Sequence, residues 1–252
     1  MFKQTAFAAI VVILSTITPS AQPPNKLASD SRANGKPEEL LPSPEATKAI
    51  ARLGDLSPTT IRERLQQMRP QAYLASVAHV KKLVELQDLL IVSNGGVGKL
   101  KAALQPVLAY HKRSQMPIYV LRSEQPRAYL IERAVIVITT RMMVIASAEE
   151  IRGVVAHELA HEYVWNERSE ALQAKDGKRM RECELFCDAV ASFSLKEIGD
   201  DPASYGRILG RLTQISIVAG ITAGNTTRRE AFTHPSLDAR KKLNKFLCQR
   251  LD

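Results

Sequence analysis

The sequence predicts an α+β fold that is mainly helical, with one small β-sheet. From Pro44 onward, most segments have apolar residues that recur at helical spacing. Two short segments between them are dense in β-branched residues, as strands are. The 252 residues and the apolar fraction of 45% suit one medium-sized globular domain with additional segments.

The first 44 residues do not resemble the rest. Lys3 and the nearly apolar stretch 5–17 predict that residues 1–21 are an export signal, cleaved or kept as an anchor, although Pro19 disturbs the cleavage site. Residues 22–44, rich in Pro, Ser, Asn and Lys, bury too little apolar surface to offset their ordering entropy. We therefore expect a disordered tether there, a domain over 45–252, and an exported protein, periplasmic or extracellular, or membrane-anchored if residues 1–21 are uncleaved.

The first part of the predicted domain is helical and carries no motif that indicates a function. A glycine-containing stretch, 93–100, has the wrong spacing for a phosphate loop and follows a helix instead of a strand, so we predict a turn. His79 and His111 are predicted to be plain solvated helix residues. The predicted helices span 45–53, 58–68, 71–92 and 99–112.

The two predicted strands, 118–121 and 134–139, precede the segment with the densest signals. Ser147 and Glu150 form a Ser-x-x-Glu capping box, which predicts a helix that begins there and runs to about residue 170. A polar stretch over 175–181 is predicted to interrupt the helices. Further helices are predicted at 182–198, 202–219 and 236–249.

His157-Glu158-Leu159-Ala160-His161 is the strongest candidate site in the chain. Residues four apart lie on one face of a helix, so His157 and His161 can bind one Zn²⁺ together. Glu158 sits beside them, where its carboxylate can take a proton from a metal-bound water. The alternative interpretation is an ordinary amphipathic helix with two surface histidines.

Glu184 is the candidate for a third zinc ligand, and Asp188 follows one helical turn later. Asp188 would accept the free N–H of a ligand histidine and fix its tautomer. Both acids stand among apolar residues, and buried carboxylates need partners. Ligation by Cys183 or Cys187 is a weaker alternative, because each is rotated about 100° from the neighbouring acid. Cys248 could form a disulfide with either.

The net charge of +9 comes from lysines and arginines that are scattered along the chain. No basic run interleaves with aromatic residues, so we predict no nucleic-acid binding. The charge is compatible with association with an anionic membrane surface, and a solvated basic surface is the simpler interpretation. Nothing in the sequence predicts an oligomeric state.

With these residues placed, the chain resembles the gluzincin endopeptidases of the prenyl-protein (CAAX) protease and heat-shock membrane protease family, and looks like a compact exported member. The order and spacing of four segments between residues 117 and 246 carry the resemblance. They are residues 134–140, the motif 157–161, the segment 184–188, and Thr233-His234-Pro235-Ser236 with Arg240.

The resemblance implies a zincin-like fold, a minimal gluzincin, with one Zn²⁺ per chain. It places His234 and Arg240 at the active site, where His234 could stabilise the developing oxyanion and Arg240 could support it. The alternative is that His234 only caps a loop and that Arg240 pairs with Asp188 or another core acid. Arg141 stands where the family usually has Gly, a departure that bears on the shape of the substrate groove and not on the metal site. The implied zinc ligands are His157, His161 and Glu184.

The function this predicts is a zinc-dependent endopeptidase of exported or unfolded proteins. Its substrate is a protein or peptide, hydrolysed by a zinc-bound water that Glu158 activates. Strand 134–139, predicted to form the sheet edge, would bind extended substrate through Val135, Ile136, Val137 and Ile138. The alternatives are a catalytically weak peptidase-like binding protein and a zinc hydrolase of non-peptide amides.

Overall fold

The computed structural model describes residues 43–68, 96–218 and 234–251. It confirms a mainly helical α+β fold with one small sheet among these residues. The predicted signal, most of the tether, helix 71–92 and His79 lie outside the described residues.

Helix α1, Pro44–Ala51, begins with Pro after Ser43, whose hydroxyl accepts a hydrogen bond from the Ala46 N–H. Helix α2 spans Pro58–Met68 and helix α3 spans Gly96–Tyr110.

The sheet has three strands in the order β1-β3-β2, with β1 at Ile118–Leu121, β2 at Ala128–Ile131 and β3 at Val135–Thr139. Strand β3 pairs in parallel with β1 and antiparallel with β2, and all five of its residues are buried. The prediction that this strand forms the sheet edge is therefore wrong. The sequence analysis missed β2, which lies at one edge of the sheet, as β1 does at the other.

The turn between β2 and β3 explains why that hairpin escaped detection. Glu132 and Arg133 both have left-handed backbone conformations, with φ of 45° and 59°, and the Ala134 N–H donates to the Ile131 carbonyl at 2.8 Å. Two-residue hairpin turns with two positive φ angles usually carry Asn-Gly or Asp-Gly. Without those residues, the turn has no local sequence signal.

The helix that carries the candidate site is shorter than predicted. Helix α4, Thr140–Ile145, comes first, and helix α5, Ala148–Ala160, then begins with the predicted capping box intact on Ser147. After Ala160 the chain forms a tighter turn, with hydrogen bonds between residues three apart such as that from the Tyr163 N–H to the Ala160 carbonyl. A separate helix, α6, then spans Trp165–Gln173. Arg113 holds this turn through an ion pair with Glu162. That long-range contact is invisible in the local pattern, which predicted one helix to about residue 170.

Helix α7, Gly177–Glu197, lies at the centre of the domain. It begins five residues earlier than predicted because the Asp176 carboxylate accepts a hydrogen bond from the Arg179 N–H, so the polar stretch is largely helical. Leu195 on one face of α7 joins the core formed with α5 and the sheet, whereas Phe186 on another joins the core formed with α1 and α2. Helix α8 spans Ala203–Val218 and helix α9 spans Leu237–Leu251.

Lys175→Gly is expected to raise the free energy of unfolding by about 1 kcal/mol, because Lys175 ends helix α6 in a left-handed conformation, with φ of 54°, that favours Gly. The same change at Lys245, exposed within helix α9, is expected to lower it by about 0.5–1 kcal/mol. Urea unfolding of both variants measures the contrast. A loss of stability in both would contradict the conformational argument.

Candidate active site

Helices α5 and α7 bring the predicted metal-binding residues together. The rings of His157 and His161 lie 4.9 Å apart, centroid to centroid. Their Nε2 atoms both face Glu184, at 3.4 Å from Oε2 for His157 and 3.8 Å from Oε1 for His161. Three side chains from two helices therefore converge on one small space.

Glu184 has the environment expected of a metal ligand. Its side chain is 1% exposed, and neither carboxylate oxygen accepts a hydrogen bond from any group in the described part of the chain. Burying an ionised carboxylate without partners is costly, and metal coordination is one way to compensate it. Zinc–ligand distances of about 2.0–2.2 Å put tetrahedral ligand atoms about 3.4 Å apart. The measured separations fit zinc.

The pKa values of His161 and Glu184 suit metal binding. Burial lowers the pKa of His161 to about 3, which leaves a neutral imidazole with a lone pair for a metal. Burial alone would raise the pKa of Glu184, but the neighbouring histidines outweigh it and hold that pKa well below its usual range. Both groups are therefore in the protonation state that zinc requires.

The other nitrogen of His157 belongs to a buried polar network. Its Nδ1 lies 2.9 Å from Asp188 Oδ1 and 2.9 Å from the Tyr205 hydroxyl, which itself donates to Asp188 at 2.6 Å. Arg240 donates to both Asp188 oxygens, at 2.6 and 2.7 Å, and to Tyr205 at 2.8 Å. The structure thus brings Asp188 to a candidate ligand histidine. It also shows that Arg240 pairs with Asp188, which was the alternative interpretation of Arg240.

This network shifts the pKa values of its members in opposite directions. Burial would lower the pKa of His157, but the hydrogen bond with Asp188 and the nearby Glu184 carboxylate outweigh it and raise that pKa to about 9. Burial would likewise raise the pKa of Asp188, but Arg240 keeps it below its usual value. Asp188 is therefore a permanent anion that orients the His157 ring.

Glu158 lies beside the two histidines, with a carboxylate oxygen within 4.8 Å of their ligand atoms. Its Oε2 accepts a hydrogen bond of 3.2 Å from the backbone N–H of Leu130, on the edge strand β2. Burial raises the pKa of Glu158, although the charge of His157 opposes the shift. The Glu158 carboxylate is thus a stronger base than usual, and its hydrogen bond with Leu130 places it at the edge of the sheet.

His234 reaches the same pocket from the segment before helix α9. Its Nε2 lies 3.7 Å from Glu184 Oε2, and its side chain is 47% exposed. By contrast, Val135, Ile136, Val137 and Ile138 do not fit their predicted role, because both backbone edges of β3 are occupied by β1 and β2.

Sequence reasoning missed two residues at this site. Tyr205, on α8, completes the polar network around His157, and Arg168, on α6, places its Nε 3.6 Å from Glu184 Oε1. The Arg168 Nε is buried and has no hydrogen-bond acceptor among the described residues. A Tyr on an amphipathic helix and an Arg in a polar one carry no motif, so no local signal could have found them.

The cysteines are not placed as zinc ligands. Cys187 Sγ lies 3.4 Å from Nδ1 of His161, on the side of the ring away from the Nε2 that faces Glu184. Cys183 is buried near Arg52 and Glu167, and burial raises the pKa of its thiol to about 11. No disulfide is present among the described residues, which include Cys248.

His111 is buried, contrary to the prediction that it is solvated. Its two ring nitrogens lie 2.9 Å from the Tyr163 hydroxyl and 3.1 Å from Ser194 Oγ. The helix pattern did not reveal this because Tyr163 and Ser194 are 52 and 83 residues away in the chain. The histidine links α3 to the turn after His161 and to α7.

Residues 97–175 match the sequence profile of Peptidase family M48, a class of metallopeptidases. The match confirms the predicted resemblance to gluzincin peptidases and supports a metallopeptidase. The matched segment includes the His157–His161 motif. Glu184, Asp188, His234 and Arg240 follow it in the chain.

A curated relative gives a more particular similarity. The chain is 44% identical, over 59 residues, to a protein named Protease HtpX homolog from Thermodesulfovibrio yellowstonii. The aligned segment covers 21% of this chain and 21% of the relative, so the chain spans about a fifth of the length of that protein.

The predicted exported location is wrong. The relative found is a Protease HtpX homolog, and the sequence analysis likened this chain to heat-shock membrane proteases. That similarity gives no support to a periplasmic or extracellular location. Residues 1–21, on which the prediction rested, lie outside the described part of the chain. Within residues 43–68, 96–218 and 234–251, no helix is long and apolar enough to cross a membrane.

Proposed function

We propose that this chain is a zinc-dependent endopeptidase that hydrolyses extended or unfolded protein substrates. The observation that carries the proposal is the buried Glu184 carboxylate, which lies between two histidine Nε2 atoms without a hydrogen bond from any described residue. Glu158 stands next to this cluster as a base. Together they match what metal-assisted hydrolysis of a peptide bond requires.

His157, His161 and Glu184 are the proposed ligands of one zinc ion per chain. Glu184 is preferred to Glu158 because an oxygen of Glu158 already accepts the Leu130 N–H, whereas both Glu184 oxygens are available. A bound zinc ion would supply Lewis-acid activation of a water molecule and of the scissile carbonyl. Asp188, Tyr205 and Arg240 then hold His157 in the tautomer that leaves its Nε2 for the metal.

Glu158 is the proposed general base. It would accept a proton from the attacking water and deliver it to the leaving amine nitrogen, as one carboxyl group can do in both halves of the reaction. Its raised pKa favours the first step, because a more basic carboxylate takes up the proton of the attacking water more readily. The hydrogen bond from Leu130 keeps the carboxylate at the pocket.

Strand β2 replaces β3 as the proposed substrate-binding edge. The Leu130 N–H points away from β3, towards Glu158, so the outer side of β2 faces the active site. A substrate chain that pairs with this side through backbone hydrogen bonds would lie beside Glu158 and the metal ligands. Recognition through backbone groups selects extended chain more than particular side chains.

Incubation of the zinc-loaded protein with unfolded casein, with and without a chelator, tests the proposed function. We expect cleavage at internal bonds that chelation abolishes and zinc restores. Glu158→Gln is the matched control for a contaminating protease. Casein that is bound but remains intact would instead indicate a binding protein, and cleavage restricted to non-peptide amides would indicate a different hydrolase.

His234→Ala is expected to lower kcat by roughly 10²–10³-fold while zinc content stays at one per chain, because the imidazole would donate to the developing oxyanion. Its Nε2, 3.7 Å from Glu184 Oε2, is close enough to the ligand cluster for this role. Steady-state kinetics with zinc analysis provides the measurement, and Lys245→Ala on α9 serves as the control. An unchanged kcat would show that His234 has only a structural role.

A further inference from the structure

The two proposed histidine ligands are held by chemically different partners. His157 Nδ1 has a carboxylate and a phenol hydroxyl at 2.9 Å, in a network that includes Arg240. His161 Nδ1 has the thiol sulfur of Cys187 at 3.4 Å, within hydrogen-bond distance for sulfur. Asp188, the next residue after Cys187, serves His157, so two adjacent residues of α7 serve the two ligands.

The ring geometry defines the direction of the contact with Cys187. The Nε2 of His161 faces Glu184 and would give its lone pair to the metal, so the ring proton belongs on Nδ1. Nδ1 is therefore the donor, and the Cys187 sulfur, 3.4 Å away, is the acceptor.

We propose that Cys187 is a positioning residue, whose sulfur accepts the Nδ1–H of His161 and so fixes the tautomer and ring orientation in which His161 binds zinc. The proposal rests on the zinc site proposed above. Partners of this kind typically change metal affinity by 10–100-fold when removed. A neutral sulfur is a weaker acceptor than a carboxylate, so His161 is the less firmly held of the two ligands.

Cys183 provides a matched control in the same helix. It lies one turn before Cys187, and both side chains are 0% exposed, but Cys183 borders Arg52 and Glu167 instead of a ligand histidine. Replacing either cysteine with Ala removes the same atoms from the core and leaves a similar cavity. A difference in zinc affinity between the two variants therefore reports the contact with His161 and not the lost packing.

The test is the zinc dissociation constant of each full-length variant, measured by competition with a chromophoric chelator, with thermal unfolding of the metal-free protein as a check on folding. We expect Cys187→Ala to bind zinc about 10–100-fold more weakly than the wild type and Cys183→Ala to remain within about twofold. Cys187→Ser, which restores an acceptor, should recover part of the loss. If Cys187→Ala does not fold, Cys187→Val removes the acceptor at similar volume and should show the same weakening.

Equal zinc affinities for the Cys187 and Cys183 variants would overturn the role of Cys187 and leave the zinc site intact. Loss of affinity in Cys187→Ser equal to that in Cys187→Ala would also count against it, because the acceptor would then be irrelevant. A wild-type chain that binds no zinc would instead overturn the proposed function, so the two failures are distinguishable.

Discussion

Glu158→Gln is expected to reduce peptide hydrolysis by roughly 10²–10⁴-fold while the protein keeps one zinc per chain. The amide has nearly the shape of the carboxylate and can still accept the Leu130 N–H through its oxygen, so the local structure should persist. It cannot accept the proton of the attacking water, and the proposed ligands His157, His161 and Glu184 are unchanged. Activity should fall without loss of the metal.

Glu149→Gln is the matched control for this substitution. Glu149 lies in the first turn of α5, two helical turns before the motif, and the change removes the same charge from the same helix. Casein hydrolysis and zinc analysis of both variants should show a large loss only at position 158. Near-full activity of Glu158→Gln would show that Glu158 is not the general base.

Glu184→Ala is expected to lose stoichiometric zinc and, with it, all chelator-sensitive hydrolysis. The carboxylate lies 3.4 and 3.8 Å from the two histidine Nε2 atoms, and the other nearby carboxylate, Glu158, already accepts the Leu130 N–H. Removing it also leaves the Arg168 guanidinium, 3.6 Å away, without its ion-pair partner, so the metal-free variant should be less stable than the metal-free wild type. Zinc analysis after dialysis and thermal unfolding measure the two effects.

Glu197→Ala is the control for that variant, because Glu197 lies at the end of the same helix and pairs with Arg62 at the surface. It should retain zinc and activity. The ligand assignment is wrong if Glu184→Ala keeps stoichiometric zinc and Cys183→Ser loses it.

Asp188→Asn is expected to weaken zinc binding by roughly 10–100-fold without abolishing it, because the side chain acts on the metal only through His157. The loss of charge also leaves Arg240 buried without its ion pair, so the free energy of unfolding should fall by several kcal/mol. Chelator competition and urea unfolding should show both effects. A variant with unchanged zinc affinity would limit Asp188 to a structural role.

The part of the site that lies on single helices could be predicted from the sequence. His157, Glu158 and His161 occupy one turn of α5, and the spacing of Glu184 and Asp188 fixes their relation on α7. The helical repeat of 3.6 residues converts such spacings into geometry without knowledge of the rest of the chain. The capping box on Ser147 is equally local, and the structure confirms it.

The pairing of strands was predicted less well, because it depends on distant residues and on turn conformation. The edge was assigned to the most strand-like segment, Val135–Thr139, but strong β-propensity and complete burial are what a central strand requires. Strand β2 is shorter and half-buried, and its turn through Glu132 and Arg133 lacks the usual Asn-Gly signal.

The sequence by itself determined the helical spacing of the candidate ligands, the acid pair one turn apart and the α+β class, because each depends on a short-range repeat. Only the tertiary structure decided which atoms surround those ligands: Tyr205 at His157, Cys187 at His161, Arg168 near Glu184 and the Leu130 N–H at Glu158. Those contacts join different elements, and packing between helices and the sheet sets their distances. Local periodicity carries no information about such packing.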